Sequence, residues 1–262
     1  MTQGTPQGGP RQGQQGQQQR RQGQQGQQQQ QVQPGPVRVL ETERFTLRCM
    51  RPEDVNDRYI SWWNDAEFQF GMNRNPLNWQ RPNAVNHVRW FDNRRNFHFG
   101  IFLKKNGELI GFISLLAMPR MGTAKSNVVI DRLFWGEDVV PEARAAVMDF
   151  AFTEMGLIKF KGLVVGKNYG SIYNYVAMGF TCEGVERADT LDPKGERADV
   201  YHFAVFRDDW TERRAKEGVT IPPLPKRQPG AQTGGLTPDQ QHDQTPDPLP
   251  QQPGQGSGQG ES

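Results

Sequence analysis

Two stretches in the second half of the chain carry residue types that could bind and activate a ligand. In the first, residues 127–133 (NVVIDRL) predict a strand, a loop follows over 134–140, and Pro141 opens a predicted helix over 141–155. Proline suits a first helical turn because its missing N–H would have no partner there. The N-terminus of such a helix presents unpaired N–H groups and a partial positive charge, which suit a phosphate. The pattern therefore indicates an anion-binding turn, although every α/β protein has several such helix termini.

The second stretch places polar side chains on a short predicted helix. Asn168 begins a loop, Ser171 and Tyr175 lie within the helix, and Gly179 ends it. Tyr175 could present its phenol as a general acid one turn before this exit. A tyrosine on a short helix is more often a core residue, so the spacing leaves both roles open.

The elements that must position these residues follow from hydrophobic periodicity. An Asn-Gly pair between two apolar runs is a strong hairpin signal and joins two of the predicted strands. The predicted strands are 45–51, 98–104, 108–116, 127–133, 160–165, 180–187 and 199–206, and the predicted helices are 53–64, 82–91, 141–155 and 171–178. Strands that are first paired in hairpins and then separated by single helices predict a mixed α/β sheet.

The ends of the chain differ in composition from its middle. Residues 1–36 hold 17 Gln, 8 Gly and 4 Pro, and residues 218–262 hold 9 Pro, 9 Gln and 8 Gly. All 26 aromatic residues lie in 37–217. Segments that lack aromatic residues and carry few other apolar side chains cannot bury enough apolar surface to offset the entropy of ordering. We therefore predict one folded domain at 37–217 between disordered tails at 1–36 and 218–262.

Charge and cysteine content exclude several classes of protein. The formal net charge is +2, which argues against a nucleic-acid-binding surface. Two cysteines are too few for a disulfide framework, and no His/Cys/Asp/Glu spacing suggests a metal site. No stretch approaches 18 consecutive apolar residues, and the N-terminus has no apolar signal region. We expect a cytoplasmic protein with no nucleic-acid, membrane or metal partner.

Five segments taken in order resemble one family. They are FTLRCMRPEDVNDRYISWWNDAEF at 45–68, GELIGFISL at 107–115, FWGEDVVPEARAAVMDFAFTEMGL at 134–157, VGKNYGSIYNYVAMGFTCEG at 165–184 and EGVERADTLDPKGERADVYHFAV at 183–205. The chain resembles the GCN5-related N-acetyltransferase (GNAT) superfamily, in the branch of RimJ/RimL-like and amino-sugar acetyltransferases. The resemblance implies the GNAT fold, an α/β (α+β) mixed sheet of about six to seven strands with helices on both faces.

The resemblance also implies an activity, a co-substrate and site residues. Acetyl-CoA would donate its acetyl group to a primary amine of a small molecule, such as an amino sugar, or of a protein N-terminus, and the chain could be a monomer or a homodimer. The acid would be Tyr175, and Asp131 and Glu108 are candidates for the base. The residues implied to hold the coenzyme are Val128, Val129, Ile130, Trp135, Gly136, Glu137, Asp138, Val139, Val140, Asn168 and Ser171.

The loop before the 141–155 helix departs from the pattern of this family. Asp138 and Val140 stand where two small residues are usual. Glycine would let the backbone pass close to phosphate, and a carboxylate would repel it. Two outcomes follow: either Asp138 turns outward and caps the helix while the coenzyme still binds, or the site has decayed. In the second case the domain would be a degenerate binding module.

Overall fold

A computed structural model describes Met1 and residues 35–224. The predicted tails fall largely on residues outside this range, so they stay predictions. Within the described residues, the folded part continues past 217, because Ile221 is buried in the core and Arg207 donates a hydrogen bond to the carbonyl of Pro222.

Eight strands form one sheet in the order β1-β2-β3-β4-β5-β6-β8-β7. They are β1 Val39–Glu41, β2 Phe45–Cys49, β3 Asn96–Leu103, β4 Leu109–Met118, β5 Thr123–Ile130, β6 Lys159–Val165, β7 Thr181–Leu191 and β8 Arg197–Phe206. Neighbouring strands are antiparallel except β5 and β6. The mixed α/β sheet predicted from the sequence is confirmed, with one additional strand, the short β1.

Six α-helices of the described residues pack around this sheet. They are α1 Asp57–Asn64, α2 Ala66–Gly71, α3 Arg81–Arg89, α4 Val139–Thr153, α5 Tyr169–Ala177 and α6 Arg207–Lys216. Helix α2 lies in a stretch that carries no helical periodicity, and it begins where the side chain of Asp65 accepts from the N–H groups of Glu67 and Phe68. Helix α4 begins at Val139, so Pro141 lies in its first turn as expected.

The two faces of the sheet bury different kinds of side chain. On one face, Phe97 and Phe99 pack edge-on against Phe150 of α4. On the other face, His98 of β3 hydrogen-bonds to Tyr59 of α1 inside an aromatic cluster. This cluster also contains Trp62, Trp63, Trp79, His87 and Phe112. These tryptophans are therefore core residues.

Candidate functional site

The sheet opens at the one place where its strands run parallel. β5 and β6 pair only from Thr123 to Lys125 on β5 and from Lys159 to Lys161 on β6. Beyond those residues β5 stays paired with β4, while β6 pairs with β8. The two strands therefore diverge, and the β6 side of 126–130 is left without a β partner.

The direction of each backbone group on this free edge follows from the alternation of the strand. The N–H of Asp131 donates to Ile110 O on β4 at 2.8 Å. Successive residues of a strand point their N–H and C=O groups to opposite sides, so Val129 also faces β4. Val128 and Ile130 then face the gap, and the carbonyl of Ile130 accepts from the Trp135 indole at 2.8 Å. The N–H groups of Val128 and Ile130 are thus the donors directed into the gap, whereas Val129 contributes only its side chain.

This gap widens into a cavity of about 730 Å³ between β5, α2, α4 and α5. We call it the wedge cavity. The predicted coenzyme residues on its wall are Val128, Val129, Ile130, Trp135, Gly136, Asp138, Val139, Val140, Asn168 and Ser171. The structure thus brings together ten of the eleven residues implied to hold a coenzyme.

Helix α4 begins at the wall of this cavity. Asp138 is its N-cap residue and adopts a left-handed conformation, with φ of +52°, but its side chain makes no capping hydrogen bond. The expectation that Asp138 caps the helix is therefore corrected. Among the described residues, nothing accepts from the N–H of Val139 or Val140, and Pro141 has no N–H. The wall of the cavity thus contains two residues with unpaired N–H donors, together with the positive end of the helix dipole.

This loop needs glycine at fewer positions than the sequence pattern of the family implies. Gly136 has a φ of +81°, which favours glycine, and Asp138 occupies the second left-handed position. Aspartate is among the residues that tolerate this region. Val140 lies inside the α4 helix, so no special backbone conformation is needed there.

Glu137 is the one predicted coenzyme residue that does not line the wedge cavity. Its carbonyl accepts a hydrogen bond from Arg44 at 2.9 Å. Arg44 also forms an ion pair with Glu142 in the first turn of α4, at 2.6 Å. The carbonyl of Glu137 therefore connects the loop to the residue that precedes β2. Glu137 contacts another residue of the protein and does not contact the cavity.

Asn168 positions the far wall of the cavity through both ends of its amide. Its Oδ1 accepts from the N–H of Ser171 at 3.0 Å, which caps α5, and its Nδ2 donates to Gly71 O of α2 at 2.7 Å. The hydroxyl of Ser171 has no hydrogen-bond partner in the part of the chain that the structure describes. Asn168 thus orients the wall, and Ser171 offers a free hydroxyl to a ligand.

Tyr175 is not among the residues that line the wedge cavity. Its side chain is 2% exposed, and its ring stacks on Phe203 with a centroid distance of 5.2 Å. Gly162 of β6 permits this approach, because a Cβ there would overlap the phenol ring. The geometry favours a packing role for Tyr175, and its assignment as the acid stays a prediction.

Asp131 is occupied by protein contacts and also lies outside the cavity wall. One of its carboxylate oxygens accepts from the N–H of Leu133 at 3.1 Å, and the other accepts from the Trp62 indole at 3.2 Å. Arg58 lies 3.6 Å from the same carboxylate and 2.5 Å from Glu108. Both candidate bases are therefore held in one network that joins α1 to the sheet.

The charged side chains on the cavity wall differ in whether they are neutralised. Glu67 pairs with Arg132 at 2.6 Å. Lys167 pairs with Asp192 and Glu196, and hydrogen bonds to these carboxylates raise the pKa of its ammonium. Within the described residues, the remaining two, Asp138 and Arg144, have no ion-pair partner.

Sequence reasoning missed Arg144, which is 1% exposed on α4. The signal was available: Arg144 shares the spacing of Met148 and Phe152, which are buried one and two turns further along α4. An arginine at an apolar helical position is rarely buried without a partner.

The described residues contain no group of three or more His, Cys, Asp and Glu that could hold a metal ion. In the same residues, no helix has the length and apolar character needed to cross a membrane.

Comparisons with known proteins match both the sequence and the fold. A family model described as an acetyltransferase (GNAT) domain matches residues 44–181. The uncharacterized N-acetyltransferase p20 of Bacillus licheniformis is 28% identical over 179 residues, which cover 66% of this chain and 99% of that protein.

Two solved structures are similar in fold. Spermidine N-acetyltransferase from Vibrio cholerae, in complex with CoA and spermine, has a TM-score of 0.58 at 17% identity and covers 64% of this chain and 98% of its own. RimL, a ribosomal L7/L12 alpha-N-protein acetyltransferase in complex with coenzyme A, has a TM-score of 0.57 at 17% identity, covering 66% and 99%.

Proposed function

The chain belongs to the GNAT acetyltransferase family, and on that premise we propose that it transfers the acetyl group of acetyl-CoA to a primary amine. The acceptor is an amine of a small molecule or the N-terminus of a protein. One observation carries this proposal: a free strand edge and an unpaired helix N-terminus line the same cavity.

The polar groups of the cavity match the parts of the donor. The N–H groups of Val139 and Val140 suit the diphosphate, because a helix N-terminus favours negative charge. The N–H groups of Val128 and Ile130 suit the carbonyl oxygens of the pantetheine arm and of the thioester. The apolar wall, which includes Val129 and Phe134, suits the methylene groups between them.

The same strand edge suits the chemistry of acyl transfer. When an amine attacks the thioester carbonyl carbon, the carbonyl oxygen acquires negative charge. An N–H donor that already points into the gap stabilises this oxyanion without having to reorient. We propose that Val128 or Ile130 provides this donor, and that the proton of the amine leaves to solvent, since Asp131 and Glu108 are held by Arg58.

The similar proteins are consistent with both acceptor classes. One is named for spermidine and the other for a protein N-terminus. Among the residues that line the wedge cavity, Glu67 is an acid at the α2 side, where a cationic amine would be attracted. Its pairing with Arg132 reduces that attraction, so the acceptor must be found by experiment.

A screen of amines with the full chain tests the proposal. Amino sugars, polyamines and short peptides with free N-termini are mixed with acetyl-CoA, release of the coenzyme thiol is followed with a chromogenic disulfide, and the products are identified by mass. We expect thiol release that depends on both substrates, and a product that carries one added acetyl group. Absence of acetyl transfer to every class would contradict the proposal.

Two variants of the same helix separate cavity binding from nonspecific effects. Ser171→Trp places a large ring in the cavity, whereas Val176→Trp adds the same ring to the exposed side of α5. We expect Ser171→Trp to abolish thiol release and Val176→Trp to preserve it. Equal rates in the two variants would show that the wedge cavity is not the site.

A further inference from the structure

Arg144 is a buried cation whose surroundings among the described residues are incomplete. Its guanidinium carbon lies 4.4 Å from the centroid of the Tyr175 ring, and its Nη1 lies 3.9 Å from Met178 Sδ. Its Nε is buried without a hydrogen-bond partner, and no carboxylate of the described residues lies within ion-pair distance. At the same time Arg144 lines the wedge cavity.

Such an arrangement is costly unless a ligand completes it. Removing a charged group from water without a partner is strongly unfavourable. Arg207, the other arginine that is buried within residues 35–224, shows the usual solution, because it donates to the backbone carbonyls of Phe152 and Pro222. A ligand atom with negative charge in the wedge cavity would give Arg144 the partner that the described residues do not provide.

The position of Arg144 indicates which part of a donor it meets. The exposed loop around Trp135 and the N-terminus of α4 form the outer end of the cavity. Arg144 lies five residues past Val139, more than one turn along α4, and contacts the second half of α5. If the diphosphate occupies the helix N-terminus, the thioester end of the donor extends inward toward Arg144.

We propose that Arg144 contacts the coenzyme sulfur and stabilises the negative charge that it acquires during acetyl transfer, an inference that rests on the proposed function. The amine nitrogen forms a bond to the carbonyl carbon, the C–S bond breaks, and its electron pair goes to sulfur. The guanidinium keeps its protons and pairs with the resulting thiolate, which takes a proton from solvent on release. Tyr175 then acts as a positioning residue, because its ring lies against the guanidinium face.

The sulfur is the atom to examine, so the experiment titrates the thiol of bound coenzyme A. The ultraviolet absorbance of the thiolate is followed against pH for free coenzyme A and for coenzyme A bound to the full chain. An opposite charge within about 4–6 Å lowers a thiol pKa by roughly 1–3 units. We therefore expect the bound thiol to titrate at least about one pH unit below the free thiol. If the bound thiol titrates at the same pH as the free thiol, the proposal is overturned, whether or not any variant folds.

Variants assign the shift to Arg144. Arg144→Met retains the length of the side chain without its charge, and we expect it to remove the shift. Arg144→Lys retains the charge and should restore part of it. The matched control is Arg207→Met, which removes a buried arginine outside the cavity and should leave the shift unchanged. The same shift in Arg144→Met as in the wild type would contradict the assignment.

Desulfo-coenzyme A separates a sulfur contact from a diphosphate contact. If Arg144 faces the sulfur, Arg144→Met weakens coenzyme A binding several-fold above the thiol pKa and leaves desulfo-coenzyme A binding unchanged. An equal loss for both ligands would place Arg144 at the diphosphate and overturn the proposal. Failure of the wild type to bind coenzyme A at all would instead refute the proposed function, so the two failures are distinguishable.

Discussion

At the scale of single residues, Asp138 is where this chain departs most from the family whose fold it shares. Its left-handed backbone supplies the turn that glycine would otherwise supply, so the N-terminus of α4 still faces the cavity. Its carboxylate, however, caps nothing and has no ion-pair partner among the described residues. The departure therefore affects the electrostatics of the site more than its backbone geometry.

We expect Asp138→Asn to strengthen acetyl-CoA binding. Asparagine tolerates the same left-handed conformation, so only the charge changes. A charge pair about 4 Å apart in water is worth roughly 1 kcal/mol, or about a fivefold change in Kd, and this effect should shrink at high salt. Calorimetric titration at two ionic strengths measures it.

Glu137→Gln is the matched control for this experiment. It removes a charge from the adjacent residue, which does not line the cavity and whose backbone carbonyl accepts from Arg44. Its affinity should stay close to that of the wild type. If both variants change affinity equally, the effect is one of net charge and not of Asp138.

Tyr175 offers a second test at this scale, because its burial and its implied role as an acid predict opposite effects of Tyr175→Phe on the turnover rate. We expect Tyr175→Phe to retain most of the wild-type turnover rate, since the ring packing with Phe203 is preserved. Tyr175→Ala should cost about 3–5 kcal/mol of unfolding free energy. If Tyr175→Phe folds stably but turns over about a hundredfold more slowly than the wild type, the acid role is supported instead.

Local pattern predicts the strand 127–133 and the loop 134–140, whereas β5 ends at Ile130 and α4 begins at Val139. The coenzyme residues that the resemblance implies in this region, all but Glu137, line the cavity, and their role in binding stays a prediction. Side-chain direction is harder to predict, because it depends on distant partners. Tyr175 turns inward only because Gly162 and Phe203 leave room for its ring, and neither is close to it in sequence.

At the scale of elements, the parallel pair β5 and β6 creates the site. Their ladder ends after three residue pairs, and beyond it β5 follows β4 while β6 follows β8, so the two strands diverge. The predicted order of strands and helices already requires a crossover through α4 at this point. It cannot show that the ladder stops, since that depends on long-range register. Helix α2 was missed for a related reason, as its start is fixed by the Asp65 cap and not by hydrophobic periodicity.

We expect Gly162→Ala to destabilise the protein by about 1–3 kcal/mol, measured by urea unfolding. The added methyl group would overlap the buried ring of Tyr175, and Phe203 behind that ring prevents it from moving away. Gly184→Ala is the control, because its methyl group would meet no atom within 4 Å. Equal stability of the two variants would contradict the close packing of α5 on β6.

At the scale of the whole molecule, the aromatic cluster beneath α1 and α3 makes stability depend on pH. The hydroxyl of Tyr59 bonds to His87 Nδ1 at 2.8 Å and to His98 Nε2 at 3.0 Å, and His98 Nδ1 bonds to Ser114 at 2.8 Å. Burial, together with the charge of Arg74, lowers the pKa of His87 to about 3. Burial also lowers the pKa of His98 well below its usual value. Both histidines are therefore neutral in the folded protein at neutral pH.

We expect the free energy of unfolding to be constant above pH 6.5 and to fall as the pH drops below it. The unfolded histidines take up protons near pH 6.5, whereas folded His87 resists protonation down to about pH 3, so acid favours the unfolded state. Each such histidine contributes a slope of up to about 1.4 kcal/mol per pH unit. Urea unfolding between pH 4 and 8 measures this slope. Asparagine cannot titrate, so His87→Asn should lower the slope by up to about 1.4 kcal/mol per pH unit and leave the contribution of His98. An unchanged slope would contradict the role of His87.

The assignments that concern the chain beyond its described residues stay predictions. The predicted tails carry the Gln, Gly and Pro bias, but residues 218–224 are described and Ile221 among them is buried, so only 2–34 and 225–262 lie outside the described residues. A cytoplasmic location rests on composition alone. The fold, in contrast, follows from a middle segment whose hydrophobic periodicity, turn residues and segment order agree with one another.

The central claim is that the wedge cavity holds acetyl-CoA, and calorimetric titration of acetyl-CoA into the full chain tests it most directly. We expect one molecule to bind per chain, with a Kd between about 1 μM and 1 mM, the range usual for enzyme substrates. Ser171→Trp should abolish this binding and Val176→Trp should leave it unchanged. If the wild-type protein takes up no acetyl-CoA at millimolar concentration, the claim is contradicted, and the domain is a degenerate acetyltransferase that no longer binds its donor.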